Sequence, residues 1–265
     1  MSAAELLKHP TPEQLRERIA TEGYAVVEGV MPPEYVAQAR EDLAGAVAQE
    51  KAWHQGRAYR DENMVLVCSL YGGAFWTLFD QEPVMRPFEA VMGSGCIVYA
   101  YTSSSMPPRG NNYSTRIHVD CPRLIPGYVT NMGATLLLND FTEENGATWL
   151  LPGSHTQAEA PSEEEFFARA RRVIAPAGSG FFFNARLWHA GGVNRTAQWR
   201  HALTLNMCRP YMKQRIDIPR AMAQMDLSTL SPRARQKLGF LAQVPASLDE
   251  YYAPPALRKF QQETE

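Results

Sequence analysis

The spacing of apolar and polar residues changes along this chain. In Thr11-Pro12-Glu13-Gln14-Leu15-Arg16-Glu17-Arg18-Ile19 two apolar residues stand four apart among charged ones, as on one face of a helix. Thr11 is placed to cap that helix, Pro12 suits its first turn, and Gln14 occupies the capping-box position. Gly23 ends it. Tyr24-Ala25-Val26-Val27-Glu28-Gly29 then reads as a short strand, and Met31-Pro32-Pro33-Glu34 opens a second helix that runs to about residue 50.

From about residue 95 the pattern shortens. Residues 96–102, 115–120, 129–138, 148–151, 180–184 and 201–207 are brief runs rich in β-branched and aromatic residues, separated by Gly, Pro and Asn. Short strands with regular turn signals predict a sandwich or barrel. Residues 161–171 interrupt them as a charged segment, either helix or loop, and the tail from Pro210 is mixed with helical pieces. There is no internal repeat or linker. The expected organisation is one domain over residues 1–265, with helical support over about 1–55, a barrel core over about 90–210 and a C-terminal extension over 211–265.

Composition narrows the partners. Hydrophobic residues make up 45% of 265, enough for an ordinary globular core. The net charge is −2 with no basic block, which argues against nucleic acid, since a phosphate-reading surface needs clustered Lys and Arg. The four cysteines form no CxxC pair, no apolar run approaches the ~18 residues of a membrane span, and the first residues lack the apolar core of a signal peptide. A reduced, cytoplasmic protein that engages neither nucleic acid nor membrane is expected, as monomer or homodimer, with a small molecule as its partner.

The chemistry begins at Arg116-Ile117-His118-Val119-Asp120. Residues two apart on a strand share a face, so His118, Asp120 and Arg116 are expected to point the same way. An isolated H-x-D is a weak signal. It gains force from His189, which follows the strand at 180–184 and precedes Gly191 and Gly192. Two histidines and one carboxylate form the facial triad of non-haem Fe(II) oxygenases, which leaves half of an octahedron for substrate, cosubstrate and O₂. Arg200, eleven residues after His189, opens the next strand. Its planar fork suits the distal carboxylate of a chelating keto acid. Each residue alone has a plainer reading, as core histidine, turn acceptor, loop residue or surface charge; the set in this order favours the metal site.

These residues, with two further stretches, resemble the phytanoyl-CoA dioxygenase family of Fe(II)- and 2-oxoglutarate-dependent oxygenases. Glu22-Gly-Tyr-Ala-Val-Val-Glu-Gly-Val30 with its following helix is similar to the family's first elements. Asn145-Gly-Ala-Thr-Trp-Leu-Leu-Pro-Gly-Ser-His155 is similar to its most recognisable motif, and His189-Ala-Gly-Gly-Val-Asn-Arg-Thr196 with Arg200 to its second half. The resemblance implies a mainly β fold with flanking helices, a double-stranded β-helix (jelly-roll, cupin-like) barrel. It implies iron on His118, Asp120 and His189, which are then the catalytic centre, and 2-oxoglutarate on Arg200. The expected reaction hydroxylates an unactivated C–H of a small molecule, with release of succinate and CO₂. The carboxylate of Asp120 disfavours halogenation, for which related enzymes carry a small residue instead. His155 is not assigned to the metal.

The secondary cosubstrate contacts depart from some relatives, with Tyr99, Thr135 and Gly191 at positions where those carry Gln, Trp and Ser. Strand parity nominates Tyr99 with Tyr101, Asn131 with Gly133 and Thr135, and Thr204 with Asn206 as inward-facing. Arg109, Asn111 and Asn112, in a polar loop over 103–113, are candidates for substrate contact together with Arg116, Asn131 and Asn206. A second candidate lid starts at Arg57 and offers Tyr59, Arg60 and Asp61. Two other activities remain open: the same cofactor chemistry ending in desaturation, epoxidation or cyclisation, and a non-catalytic cupin-like binding protein. A zinc hydrolase is less apt, because no HExxH base motif is present and Arg200 would have no task. Length and the polar loop favour a free small substrate, a natural-product intermediate or an amino-acid derivative, over an acyl-CoA.

Overall fold

The structure is a computed structural model that describes residues 2–59 and 63–259. In chain order its main elements are β1 (Leu6–Leu7), α1 (Pro12–Thr21), β2 (Tyr24–Val27), α2 (Pro33–His54), α3 (Ala74–Thr77), α4 (Glu82–Met92), β3 (Ile97–Met106), β4 (Asn131–Leu137), β5 (Trp149–Leu150), α5 (Glu163–Arg169), β6 (Arg171–Arg172), β7 (Gly180–Asn184), β8 (His189–Ala190), β9 (Arg200–Cys208), α6 (Ile218–Ala221), α7 (Pro232–Lys237) and α8 (Leu248–Tyr251). The capping box on Thr11 and Gln14 forms, and Leu15 and Ile19 are buried. Residues 161–171 resolve mainly into α5, opened by a second capping box between Ser162 and Glu165.

Two sheets carry the site. The larger has the order β1-β2-β7-β4-β9-β3, the smaller β6-β5-β8. Because side chains alternate along a strand, each sheet has two distinct faces. Val98, Tyr101, Met132, Ala134, Leu136, Phe182, Leu203, Leu205 and Met207 form one face of the larger sheet and pack into a core with residues of α1, α2, α3 and α4. Leu137, Phe181, Phe183 and Ala202 lie on the other face and pack with Leu150 and Leu187, so a second core lies between the sheets. This is the jelly-roll arrangement, mainly β with flanking helices. Among the described residues no helix is long and apolar enough to cross a membrane.

Several expectations change. Residues 115–120 are not a strand: a 3-10 turn covers Tyr113–Thr115, and the rest is extended chain with a single bridge, His118 to His189. Ser103–Met106, expected as loop, are the last four residues of β3 and pair with β9. Their polarity is reconciled with burial by the helical layer, where the Val65 amide donates to Ser103 Oγ at 2.8 Å. The second candidate lid is partly core: Met64, Val65 and Cys68 are buried, while Leu66 and the start of the segment are exposed. There Tyr59 stacks on His54 with ring centroids 3.5 Å apart, while Arg60 and Asp61 lie outside the described residues. In the C-terminal part Leu238 joins the helical core, whereas Tyr251 and Tyr252 are exposed.

Candidate metal centre

The bridge between His118 and His189 is what builds the site. Each backbone N–H donates to the other residue's carbonyl at 3.0 Å, which sets the two side chains beside each other with ring centroids 4.3 Å apart. Asp120, two residues on, is held by a carbonyl: the amides of Asp120 and Cys121 both donate to Ala185 at 2.9 Å. The result brings ligand atoms of His118, Asp120 and His189 within 4.8 Å of one another. Asp120 Oδ1 lies 3.5 Å from His118 Nε2 and 3.9 Å from His189 Nε2.

The donor set fits a divalent metal. His118 Nδ1 is 2.9 Å from the Arg116 carbonyl, and His189 Nδ1 is 2.9 Å from the Leu187 carbonyl. A carbonyl only accepts, so each ring donates from Nδ1 and turns its Nε2 toward Asp120; outer bonds of this kind orient metal-binding histidines. Burial pushes the His189 imidazole down to about 4, the nearby His118 adds to this, and Asp120 opposes it. Burial pushes the Asp120 carboxyl up, but the His118 and His189 imidazoles and the Asn206 amide outweigh it and hold it below the ordinary carboxylate range. Neutral His189 and ionised Asp120 are the forms that bind a metal.

This has a cost in acid. The folded value for His189 lies below its ordinary 6.5, so the unfolded chain takes up the proton first. The stability that depends on neutral His189 is complete above about pH 6.5 and is lost as pH falls toward about 4. In that window the metal-free protein should lose up to about 1.4 kcal/mol per pH unit through this residue. His189→Gln should reduce the slope by about one proton, which urea melts across the window will show; an unchanged slope would mean that His189 is not the group responsible.

Asn206 Nδ2 donates to Asp120 Oδ2 at 3.4 Å, and Asn131 Nδ2 donates to Asn206 Oδ1 at 3.3 Å. The two asparagines expected at substrate thus form a relay that restrains the carboxylate. Gly133 stands beside Asn206 in register and beside Phe183 on the other side. A Cβ on Gly133 would come 2.3 Å from the Phe183 ring, whose centroid is 4.8 Å from that of His189. Gly133→Ala is therefore expected to destabilise by about 1–3 kcal/mol and to weaken metal binding, because Phe183 can move only toward His189 or out of the core. Urea unfolding and a Co(II) titration check both parts.

Arg200 stands on the same face of β9, six residues before Asn206. It is 2% exposed, its Nη1 donates to the Gly146 carbonyl, and its guanidinium lies 4.1 Å from the Phe141 ring centroid. No carboxylate pairs with it among the described residues, and its Nε is buried without a partner. Burial pushes the guanidinium down to about 10, so it remains a cation at neutral pH. Between Arg200 and Asn206 lies a row that sequence reading caught only in part: Thr102, Thr204 and Thr135 stand side by side on β3, β9 and β4. A strand ladder aligns them; only their register, which the sequence does not print, could have revealed it.

Other nominated residues are placed elsewhere. Tyr99 is the extra residue of a β-bulge, and its carbonyl accepts from Arg215 N at 3.0 Å. The bulge breaks the parity with Tyr101, which turns to the helical core and meets Phe75 and Phe79 edge-on. Asn112 is used up by its own loop: Nδ2 donates to the Ser105 carbonyl at 3.0 Å, and Oδ1 accepts from Ser114 N and Oγ. Arg109, Asn111 and Arg116 are exposed, Arg109 with a left-handed φ of 48°. Gly191 packs against that loop, where a Cβ would come 2.5 Å from Ser114 Oγ. His155 packs under Gly23, with Nε2 3.1 Å from the Ala20 carbonyl, and is not part of the His118, Asp120 and His189 cluster.

Fold and site together define a jelly-roll protein with a His–Asp–His cluster able to hold a metal ion. Residues 19–202 match the family described as Phytanoyl-CoA dioxygenase (PhyH), and the chain belongs to that family. Membership supports non-haem oxygenase activity. Rv1501 of Mycobacterium tuberculosis is 28% identical over 260 residues, 94% of each chain. Dioxygenase trt7 of Aspergillus terreus is 32% identical over 117 residues, 42% of this chain and 38% of its own. Among solved structures, the nickel complex of the non-haem monooxygenase ThoJ superposes with TM-score 0.62 at 20% identity, covering 76% of this chain and 80% of its own. SnoN, a non-haem α-ketoglutarate-dependent epimerase from nogalamycin biosynthesis, does so with TM-score 0.60 at 21% identity, covering 75% and 83%. At such identity these structures speak for the fold.

Proposed function

We propose that this protein is an Fe(II)- and 2-oxoglutarate-dependent dioxygenase that hydroxylates an unactivated C–H of a free small molecule, a natural-product intermediate or an amino-acid derivative. The observation that carries the reading is a buried guanidinium without a counter-charge, Arg200, on the same sheet face as the residues that restrain a His–Asp–His cluster. A cation held at 2% exposure by one carbonyl and one aromatic face is suited to an anion, and a keto acid bound at the metal presents one at its far end.

In this reading His118, Asp120 and His189 hold iron on one face. Bound there with 2-oxoglutarate, iron supplies the oxidising power that turns O₂, the keto acid and a substrate C–H into succinate, CO₂ and an alcohol. Arg200 grips the distal carboxylate of the cosubstrate, and the hydroxyls of Thr102, Thr135 and Thr204 line its route from Arg200 toward the metal. Asn206 and Asn131 keep the Asp120 carboxylate turned inward. Phe181 and Phe183 exclude water from the side facing β7. The relatives' names, a dioxygenase, a monooxygenase and an epimerase, agree with one cofactor apparatus serving several outcomes.

The test is a metabolite-library screen with Fe(II), ascorbate, 2-oxoglutarate and O₂. A true substrate is expected to raise succinate release and to gain one oxygen atom by mass. Failure of 2-oxoglutarate to bind the metal-loaded protein at all, by calorimetry, would end this reading.

A further inference from the structure

The Asp120-bearing segment has no strand to hold it, since the only bridge in it is at His118. Its restraint comes from the corner between β7 and β8. There Asn184 Oδ1 accepts the Arg186 amide at 3.0 Å, and the Ala185 carbonyl takes the amides of Asp120 and Cys121. The Arg186 side chain then reaches two other segments. Nη1 donates to the Pro122 carbonyl at 2.9 Å, and Nη2 donates to the Gln157 carbonyl, just past the turn at 152–155. Arg186 is 6% exposed, no carboxylate pairs with it among the described residues, and its Nε is buried without a partner.

A guanidinium buried without a counter-charge is unfavourable, and two carbonyls offset only part of that penalty. An apolar side chain would fill the space at lower cost. What only the fork supplies is a rigid link across 64 residues to Pro122 and 29 to Gln157. We propose that Arg186 is a positioning residue of the metal centre: it ties the segment bearing Asp120 to the corner that leads into His189, and so sets the gap between carboxylate and distal imidazole. The inference rests on the reading that this trio binds iron, and it assigns to Arg186 a role exercised through Asp120, without contact to the metal.

Co(II) is the probe, followed by its visible ligand-field spectrum. Arg186→Met is expected to bind Co(II) about 10–100-fold more weakly, the range of outer partners of metal ligands, with an altered spectrum. Arg186→Lys, which can keep one carbonyl bond, is expected to recover part of the loss. Leu15→Ala on α1, destabilised but remote, should bind Co(II) as the parent does. If Arg186→Met does not fold, the Lys variant decides. Co(II) affinity and spectrum within about twofold of the parent in whichever variant folds would overturn the role of Arg186. A parent that takes up no Co(II), or takes it up equally after His118→Ala, would instead overturn the iron reading itself.

Discussion

His118→Ala is expected to abolish succinate release while leaving the fold in place. Its side chain is 16% exposed and its ring neighbour is His189, with centroids 4.3 Å apart, so truncation removes one ring contact at the edge of the site. The bridge to His189 is made by backbone groups and survives the change. Two ligands would remain, and Co(II) affinity should drop by more than about a hundred-fold, beyond the effect of outer-shell residues. Succinate formation should fall to about a thousandth or less. Asp120→Ala should match it in activity and differ in stability, because it also leaves the Asn206 amide without its acceptor. A His118→Ala protein that still releases succinate at more than about a tenth of the parent rate would remove His118 from the metal site.

The convergence of this trio is more legible in the sequence than the scaffold that holds it. Alternation predicts a strand from 115 to 120, yet one bridge at His118 and a carbonyl at Ala185 suffice to turn His118 and Asp120 the same way. Alternation survived there because extended chain alternates whether or not it is laddered. It failed at Tyr101, where one extra residue at Tyr99 shifts every later side chain of β3 to the other face, a slip that leaves no mark in composition. Polarity misleads at Ser103–Met106, where serines that look like loop are strand residues, the Ser103 hydroxyl bonded to the Val65 amide and that of Ser105 to His201 on the paired strand. Asn131 and Asn206 were nominated correctly as inward-facing, but their distance from Asp120 decides that they restrain a ligand, and only tertiary structure supplies that distance. Arg186 raised no signal, because a lone arginine in a turn is usually solvated.

Arg200→Met separates binding from folding most sharply. An arginine at 2% exposure would ordinarily be judged structural, and its loss destabilising. Here the balance runs the other way. The charge is taken out of water with one carbonyl, one aromatic face and no carboxylate to receive it, and Nε lacks even a hydrogen bond. The aromatic contact returns only about 0.5–2 kcal/mol, whereas the uncompensated desolvation of an ion is larger. A thioether of similar length keeps the packing and removes the penalty, so metal-free Arg200→Met should melt no lower than the parent within a few degrees. In the metal-loaded protein the same change removes the cation that the proposed function assigns to the distal carboxylate of 2-oxoglutarate. Truncating one partner of a buried charge pair costs about 2–5 kcal/mol, so 2-oxoglutarate should bind at least about thirty-fold more weakly. The stabilisation that the cosubstrate gives the parent, worth about 2.7 kcal/mol at a hundred times its dissociation constant, should fall to about a third of that or less at the same concentration. Arg200→Lys should recover little, because an ammonium cannot present the fork. Parent-like 2-oxoglutarate affinity in Arg200→Met would assign the anchor to another residue, and a large fall in metal-free stability would mean that Arg200 serves the fold and not the cosubstrate.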